Sequence, residues 1–287
     1  MNSNKTKEIS AIILTWNSEK YIKKCIESLS KEFNDFNKSY EIFVIDAGSQ
    51  DFTLKILNEL SLKYHEIHII KLEKNFGTTI SRNIGIRKSV GKYILILDSD
   101  TEVKTGMVNI LLDTINKGKK IGLVAPRLLY PDGSIQASCK RFPTIKTKIY
   151  KYMPFYTTRN IAEKDELYDG ICEKRSKQCS EVDYCISAAW MVNREAVNDI
   201  GFFDENIFYA PEDVDYCLRI WLKGWKVIYN PLASVVHHTQ RKSYRDFKIA
   251  WHHLKGLFYY FRKYNYWFDR KKIYKRIKNQ SISNTFK

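Results

Sequence analysis

The chain lacks a glycine-rich phosphate loop. Neither G-x-G-x-x-G nor G-x-x-x-x-G-K-[ST] follows its first apolar run, which disfavours a dinucleotide-binding or phosphate-loop fold. No apolar run approaches the ~20 residues that a membrane-spanning helix needs. Residues 1–8 are polar and carry two Lys, without the apolar core of a signal peptide. A cytoplasmic location is therefore expected. There is no C-x-x-C pair. The six cysteines are scattered, so free thiols are expected, and a zinc site on Cys172, Cys179 and Cys185 is disfavoured. No internal repeat is present. Negative charge is also short, with 32 acids against 48 Lys and Arg and a net charge of +16. Residues 241–287 hold 14 Lys and Arg against Asp246 and Asp269, and so account for +12 of that total. The body before them is only mildly basic. At 287 residues, 44% hydrophobic and 28% charged, the chain is globular and long enough for one large or two small domains.

What is present begins with Lys92-Tyr-Ile-Leu-Ile-Leu-Asp-Ser-Asp100. Four apolar residues, Ile94 to Leu97, suit a strand buried on both faces. The run stops at Asp98-Ser99-Asp100. Two carboxylates at i and i+2 past such a strand lie at the carboxyl edge of a sheet, where open α/β sheets bind ligands. They can face a hard divalent cation, Mg²⁺ or Mn²⁺, and a sugar hydroxyl together. The competing reading is a polar turn in which Asp98 or Asp100 caps a following helix.

Strand and helix patterns alternate before this point. Strands are expected at 9–14, 41–45 and 66–70, each followed by a helical pattern, which is the order of a doubly wound, mostly parallel α/β sheet. Thr15, Asp46 and the Asp98–Asp100 pair end three strands at one edge. Downstream, a helix is expected at 107–116 and a strand at 121–125. Pro131-Asp132-Gly133 reads as a hairpin turn. Residues 139–181 are polar and Lys-rich and read as a long loop over the site, or as poorly ordered chain. Strand character resumes at 182–192. A helix at 194–200 stops at Gly201, another opens after Glu212-Asp213-Val214-Asp215, and the last strands lead to His237-His238.

Six motifs in order carry a resemblance across about residues 9–238. They are Thr15-Trp16-Asn17, Val44-Ile-Asp-Ala-Gly-Ser-Gln-Asp51, Asn75-Phe-Gly77 with Arg82-Asn83, Asp98-Ser-Asp100, Gly201-Phe-Phe-Asp-Glu205 and Glu212-Asp-Val-Asp215. Together they resemble the family 2 glycosyltransferases of the GT-A fold, and Pro131-Asp-Gly-Ser-Ile-Gln136 resembles the rhamnosyltransferase-like branch. The resemblance implies inverting transfer of a sugar from a nucleotide diphosphate donor to a glycan or lipid-linked acceptor of the cell envelope. It implies that Asp46 reads the base or ribose and that Arg82 contacts the diphosphate. Thr15, Asn17 and Ser99 would line the nucleotide-sugar pocket. Asp100 would bind the metal, Asp98 the ribose or a metal-bound water, and His237 would lie near the metal and diphosphate. Asp213 would be the catalytic base, with Glu212 beside it. Ser187-Ala188-Ala189-Trp190 and Pro211 depart from the family pattern on the acceptor side.

Several of these residues also have simple structural readings. Asp51 suits a helix cap, Asp204 a turn contact, and Glu212, Asp213 and Asp215 the favourable first turn of a helix. His237 and His238 face opposite sides of a strand, so one of them, His237 by preference, can enter the site. Two other functions fit the same acids: a nucleotidyltransferase, which would need a glycine- and lysine-rich phosphate loop, and a non-catalytic sugar-nucleotide-binding protein. The domain reading is a GT-A domain at 1–240, with its nucleotide half at about 1–100 and its acceptor half at about 101–240, and a basic tail at 241–287. In that tail Phe247, Ala250, Trp251, Leu254, Leu257, Phe258 and Phe261 form one helical stripe. The expected partner is an anionic membrane surface, making a peripheral enzyme. The alternatives are packing on the body or in a homodimer. Nothing resembles a nucleic-acid module, so no nucleic-acid partner is expected.

Overall fold

The computed structural model describes residues 7–34, 38–168, 177–239 and 247–285, apart from the side chains of 152, 247–249 and 281–285. The alternation read from sequence is realised as β1 (Ile9–Thr15), α1 (Ile22–Asn34), β2 (Tyr40–Asp46), α2 (Thr53–Lys63), β3 (Ile67–Lys71), α3 (Thr78–Lys88) and β4 (Tyr93–Asp98). β1 pairs in parallel with both β2 and β4, and β2 with β3. Every second residue of these strands faces a different core. Ala11, Ile13, Leu95 and Leu97 join the layer beneath α1, α2 and α4 (Met107–Lys117). Ile12, Ile45, Ile94 and Ile96 join the opposite layer, which holds α3, α7 (Arg194–Ile200) and α8 (Glu212–Leu222). Burial on both faces is why the strands read as continuous apolar runs.

The sheet continues past β4 by antiparallel pairing. β11 (Ala189–Asn193) lies between β4 and β6 (Ile121–Leu129), and β12 (Lys226–His237) runs parallel to β6. β5 (Thr101–Val103) pairs antiparallel with the end of β12. Asp98 and Asp100 are thus followed by a strand, so neither caps a helix. β7 (Ile135–Gln136) folds back on β6, as the Pro131-Asp132-Gly133 turn requires, and Gly133 takes a left-handed φ of 83°.

Two expectations fail. Residues 139–181 are not a featureless loop: α5 (Ile145–Tyr152) and α6 (Tyr156–Glu166) occupy its middle. Thr144 caps α5 by accepting the Thr147 N–H, and the buried Phe142 and Ala162 tie the segment to the body. The abundant lysines hid a helical pattern there. Cys139 is disulfide-bonded, so the thiols are not all free; Cys25, Cys179, Cys185 and Cys217 are. Cys172 lies outside the described residues.

The C-terminal segment forms α9 (Phe247–Tyr264) and α10 (Lys271–Thr285); residues 240–246 and 286–287 lie outside the described residues. The α9 stripe is divided. Leu257 and Phe261, with Tyr260 and Tyr264, are buried in the layer that holds α8, whereas Trp251, Leu254 and Phe258 are exposed. Lys263 Nζ bonds Asp204 Oδ2 at 2.6 Å and Asp215 Oδ1 at 2.7 Å, and Tyr264 Oη donates to Asp215 at 2.8 Å. Asp204 also accepts the Asn206 N–H, so it makes the expected turn contact as well.

Candidate active site

The parallel register aligns the carboxyl ends of the central strands. Thr15 sits opposite Asp46, and Leu14 opposite Asp98. The loops beyond them are knitted together. Asp46 accepts both the N–H and the hydroxyl of Ser49, and the Ser49 hydroxyl oxygen accepts the Asn17 N–H at 2.9 Å. Asn17, at a left-handed φ of 49°, accepts the Gln50 N–H through its side chain at 2.8 Å. Asp51 lies one residue before the N-cap position of α2, which Phe52 holds, and accepts the Thr53 N–H at the helix start. Thr15 Oγ1 is buried with no hydrogen-bond partner among the described residues, and Ser99 Oγ donates to Ser18 Oγ.

The β12–β5 pairing carries His237 to the same edge. Asp98, Asp100 and His237 each offer one ligand atom, all within 4.8 Å of one another. His237 Nε2 lies 3.5 Å from Asp100 Oδ1, while its Nδ1 lies 2.9 Å from Gln136 Oε1. An amide oxygen can only accept, so Gln136 holds a proton on Nδ1, and Nε2 is the nitrogen left to face Asp100 or, once deprotonated, a cation. Burial works to lower the His237 pKa, but the hydrogen bond and charge of Asp100, with the charge of Asp98, outweigh it and raise the pKa. Two carboxylates and a neutral imidazole suit Mn²⁺ or Mg²⁺. His238 turns away, its Nε2 at 2.6 Å from Glu102.

Arg82 lies deeper than a direct diphosphate contact would suggest. It is 1% exposed, on α3, and its Nη2 donates to Asp98 Oδ1 at 2.7 Å. Its Nη1 reaches Glu212 Oε1 at 3.2 Å and Ser187 Oγ at 2.9 Å. One guanidinium therefore fixes the acid at the end of β4 relative to the first residue of α8. Ser187, at the departure from the family pattern, completes this bridge by also donating to Glu212. Gly77, at φ 90°, allows the start of α3 to lie against the 203–211 loop: a Cβ there would be 2.2 Å from the Phe208 carbonyl oxygen. Thr78 N donates to that same oxygen at 2.7 Å.

The three acids of the first turn of α8 have separate fates. Asp215 is held by Arg219 and Lys263, and Glu212 by Arg82. The only hydrogen bond that Asp213 makes among the described residues is with the Val214 N–H of its own turn. Burial pushes the pKa of Asp213 up against the charges of Lys140, Lys148 and Arg82. Glu212 is also pushed up, by burial and by the Asp213 charge, although Arg82 opposes it. Tyr209 was not singled out in the sequence, yet its pKa is raised by burial and then by the charges of Glu212, Asp98, Asp213 and Asp100. The charges of all four acids therefore reach it. Acids gathered at a sheet's carboxyl end can hold a cation with a polyanion, and among the described residues no ion pair engages Asp213.

The model of one protein family, Glycosyl transferase family 2, matches residues 10–201. An N-acetylglucosaminyl-diphospho-decaprenol L-rhamnosyltransferase of Mycobacterium tuberculosis (strain ATCC 25618 / H37Rv) is 24% identical over 264 residues, covering 86% of this chain and 82% of the relative. Among solved structures, GalNAc-T7 with UDP, GalNAc and Mn²⁺ aligns with a TM-score of 0.62 at 17% identity, over 81% of this chain and 43% of that one. A mannosyltransferase from Pyrobaculum calidifontis, PcManGT, in complex with GDP-Man and Mn²⁺, aligns with a TM-score of 0.57 at 15% identity, over 86% and 60%. This likeness establishes the GT-A fold. The chain spans about half the length of these two structures.

Proposed function

Because this chain belongs to the glycosyltransferase family 2, we propose that it is an inverting enzyme moving a sugar from a nucleotide diphosphate sugar to an acceptor hydroxyl. The observation that carries this reading is the meeting of Asp98, Asp100 and His237, with Arg82 joining Asp98 to Glu212, the neighbour of Asp213, an acid that no ion pair engages among the described residues. Asp46, Thr15, Asn17 and Ser99 line the nucleotide side. The orphaned hydroxyl of Thr15 supports a ligand there, since a buried polar atom without a partner costs free energy. Asp100, Asp98 and His237 would hold Mn²⁺ or Mg²⁺, in keeping with the Mn²⁺ named for both structural relatives. When bound, the cation supplies Lewis-acid stabilisation of charge on the departing diphosphate. Arg82 sets the angle of Asp98 and adds positive charge behind the pocket.

Asp213 takes the proton of the acceptor hydroxyl as its oxygen bonds to the anomeric carbon. The bond from that carbon to the phosphate oxygen breaks, and the nucleotide diphosphate leaves. A single displacement with one base and no carboxylate nucleophile inverts the configuration. The named substrate of the mycobacterial relative supports a lipid-linked or polysaccharide glycan as acceptor. No helix among the described residues is long and apolar enough to cross a membrane. Residues 241–287 would hold the enzyme on an anionic membrane face instead, through the exposed Trp251, Leu254 and Phe258 with Lys255 and Arg262 beside them. Residues 1–100 form the nucleotide half in this reading and 101–240 the acceptor half. The test is Asp213→Asn, which should keep donor affinity and lose transfer by ~10²–10⁴-fold. Near-parental turnover would remove Asp213 from the role of base.

A further inference from the structure

The segment Pro131-Asp-Gly-Ser-Ile-Gln136 supplies none of the acids of the site, yet it ends there. Its turn is closed by its own residues. Asp132 accepts both the N–H and the hydroxyl of Ser134. The Gly133 N–H donates to the Tyr130 carbonyl at 2.9 Å, and the Tyr130 N–H donates to the Ser134 carbonyl at 2.8 Å. Residues 131–134 are exposed, and the chain then turns inward to Gln136, which is 7% exposed. β11 pairs with β6 at Leu123 and Val124, so the far end of β6 has an edge that β11 does not cover. β7 covers it, with Ile135 opposite Leu129 and Gln136 opposite Leu128.

The register aims Gln136 at the end of β12. On its other side Leu128 stands opposite Val235, and His237 lies two residues past Val235 on the same face of its strand. The Gln136 side chain spans that gap, with Oε1 2.9 Å from His237 Nδ1. Thr239 Oγ1, 3.4 Å from the same nitrogen, is the weaker contact. The other ring nitrogen, Nε2, is 3.5 Å from Asp100 Oδ1. A neutral imidazole has one N–H to share between Gln136 and Asp100. If Asp100 took it, Nε2 would become a donor and could not be a ligand. N–H···O bonds cluster near ~2.9–3.0 Å, so the geometry gives the proton to the Gln136 side.

We propose that Gln136 is a positioning residue of the cation site, fixing the His237 ring in the orientation and the Nδ1–H tautomer that present the Nε2 lone pair beside Asp100. The turn at 131–134 is then the device that delivers Gln136 to the sheet edge. Metal-ligating imidazoles are commonly anchored through their second N–H, and losing such an anchor typically costs ~10–100-fold in metal affinity. Asp98 has an anchor of its own in Arg82 Nη2 at 2.7 Å. Two of the three candidate ligands are thus held in place by a buried side chain from another element. The inference rests on the cation site proposed above and extends it to a residue outside its ligand set.

The experiment has two arms. In the first, Mn²⁺ alone is titrated into the full chain, with free Mn²⁺ read by electron paramagnetic resonance. The parent should bind, and Gln136→Met, close in length but without the acceptor, should bind ~10–100-fold more weakly. Gln136→Leu takes its place if the methionine variant fails to fold. Gln136→Glu, whose carboxylate also accepts the Nδ1 proton, should bind nearly as the parent does. In a His237→Ala background Gln136→Met should cost nothing further, because its effect passes through the ring. Equal binding by the parent and a folded Gln136→Met overturns the proposal and leaves the cation site standing. So does a loss in Gln136→Glu as large as in Gln136→Met, or an undiminished loss once His237 is gone. A parent that binds no Mn²⁺ overturns the cation site and the proposal together. In the second arm, proton–nitrogen correlation NMR reads the tautomer of the neutral His237 ring in the metal-free parent, assigned by its absence from His237→Ala. Nδ1–H is expected, and Nε2–H overturns the proposal.

Discussion

Gly256→Ala tests whether the C-terminal segment belongs to the catalytic machinery. Gly256 lies on α9 where the helix crosses the loop leading into Glu212 and Asp213. A Cβ there would lie 2.0 Å from the Ala210 carbonyl oxygen, 3.1 Å from its carbonyl carbon and 3.3 Å from Pro211 Cδ. Both nearest atoms are backbone, so no side chain can swing clear, and the gap must open by roughly 1 Å. α9 resists moving because Tyr260, Phe261 and Tyr264 are buried beneath it and Lys263 is bonded to Asp204 and Asp215. The displacement therefore falls on the loop and on the acids that follow it. Alanine recovers ~1 kcal/mol of helix propensity, while overpacking costs ~1–3 kcal/mol. The net loss is about 0–2 kcal/mol, a fall in Tm on the order of 0–8 °C. Misplacing the base by ~1 Å can cost ~10²-fold in kcat. Thermal denaturation and steady-state transfer kinetics read the two effects, with Lys255→Ala as an exposed neighbour on the same helix. Parental Tm and kcat in Gly256→Ala would refute the close crossing of α9 over this loop.

Further predictions concern pH and the membrane. Asp213 must be ionised to act as a base, and its pKa is raised by burial, so activity should be lost as pH falls through a value above the usual carboxylate range. Lys148→Gln removes a cation that favours the ionised form, and should move that acidic limb to still higher pH; a limb unmoved in a pH–rate profile would contradict this. Trp251→Ser/Leu254→Ser, at exposed positions of α9, should weaken sedimentation with anionic liposomes while leaving Tm near parental. Parental binding to neutral and anionic vesicles alike would sink the membrane reading.

The acids at the sheet's carboxyl edge were legible because they are written into strand ends. Asp46, Asp98 and Asp100 follow apolar runs directly, and a parallel register places such ends side by side. His237 was legible from strand alternation, and the structure seats it with Asp98 and Asp100. Arg82 shows the limit of that approach: its motif marked the residue, but only the fold shows it buried between Asp98 and Glu212. Tyr209 carried no local pattern, since its surroundings come from segments far apart in sequence. The lysines of α5 read as solvated loop because charge masked a helix whose polar side faces the buried Glu166. The α9 stripe was seen, but spacing alone could not divide the residues that pack on α8 from those left outside.

The central claim is that Asp98, Asp100 and His237 hold a divalent cation that secures a nucleotide diphosphate sugar beside Asp213. It is tested most directly by screening sugar nucleotides for thermal stabilisation and for nucleotide diphosphate release, with Mn²⁺, with Mg²⁺ and with EDTA, on the parent and on Asp100→Asn. A bound donor raises Tm by mass action. The account predicts that at least one sugar nucleotide stabilises the parent and is turned over only with metal, and that Asp100→Asn loses both responses. Metal-independent stabilisation and release that Asp100→Asn retains in full would contradict it.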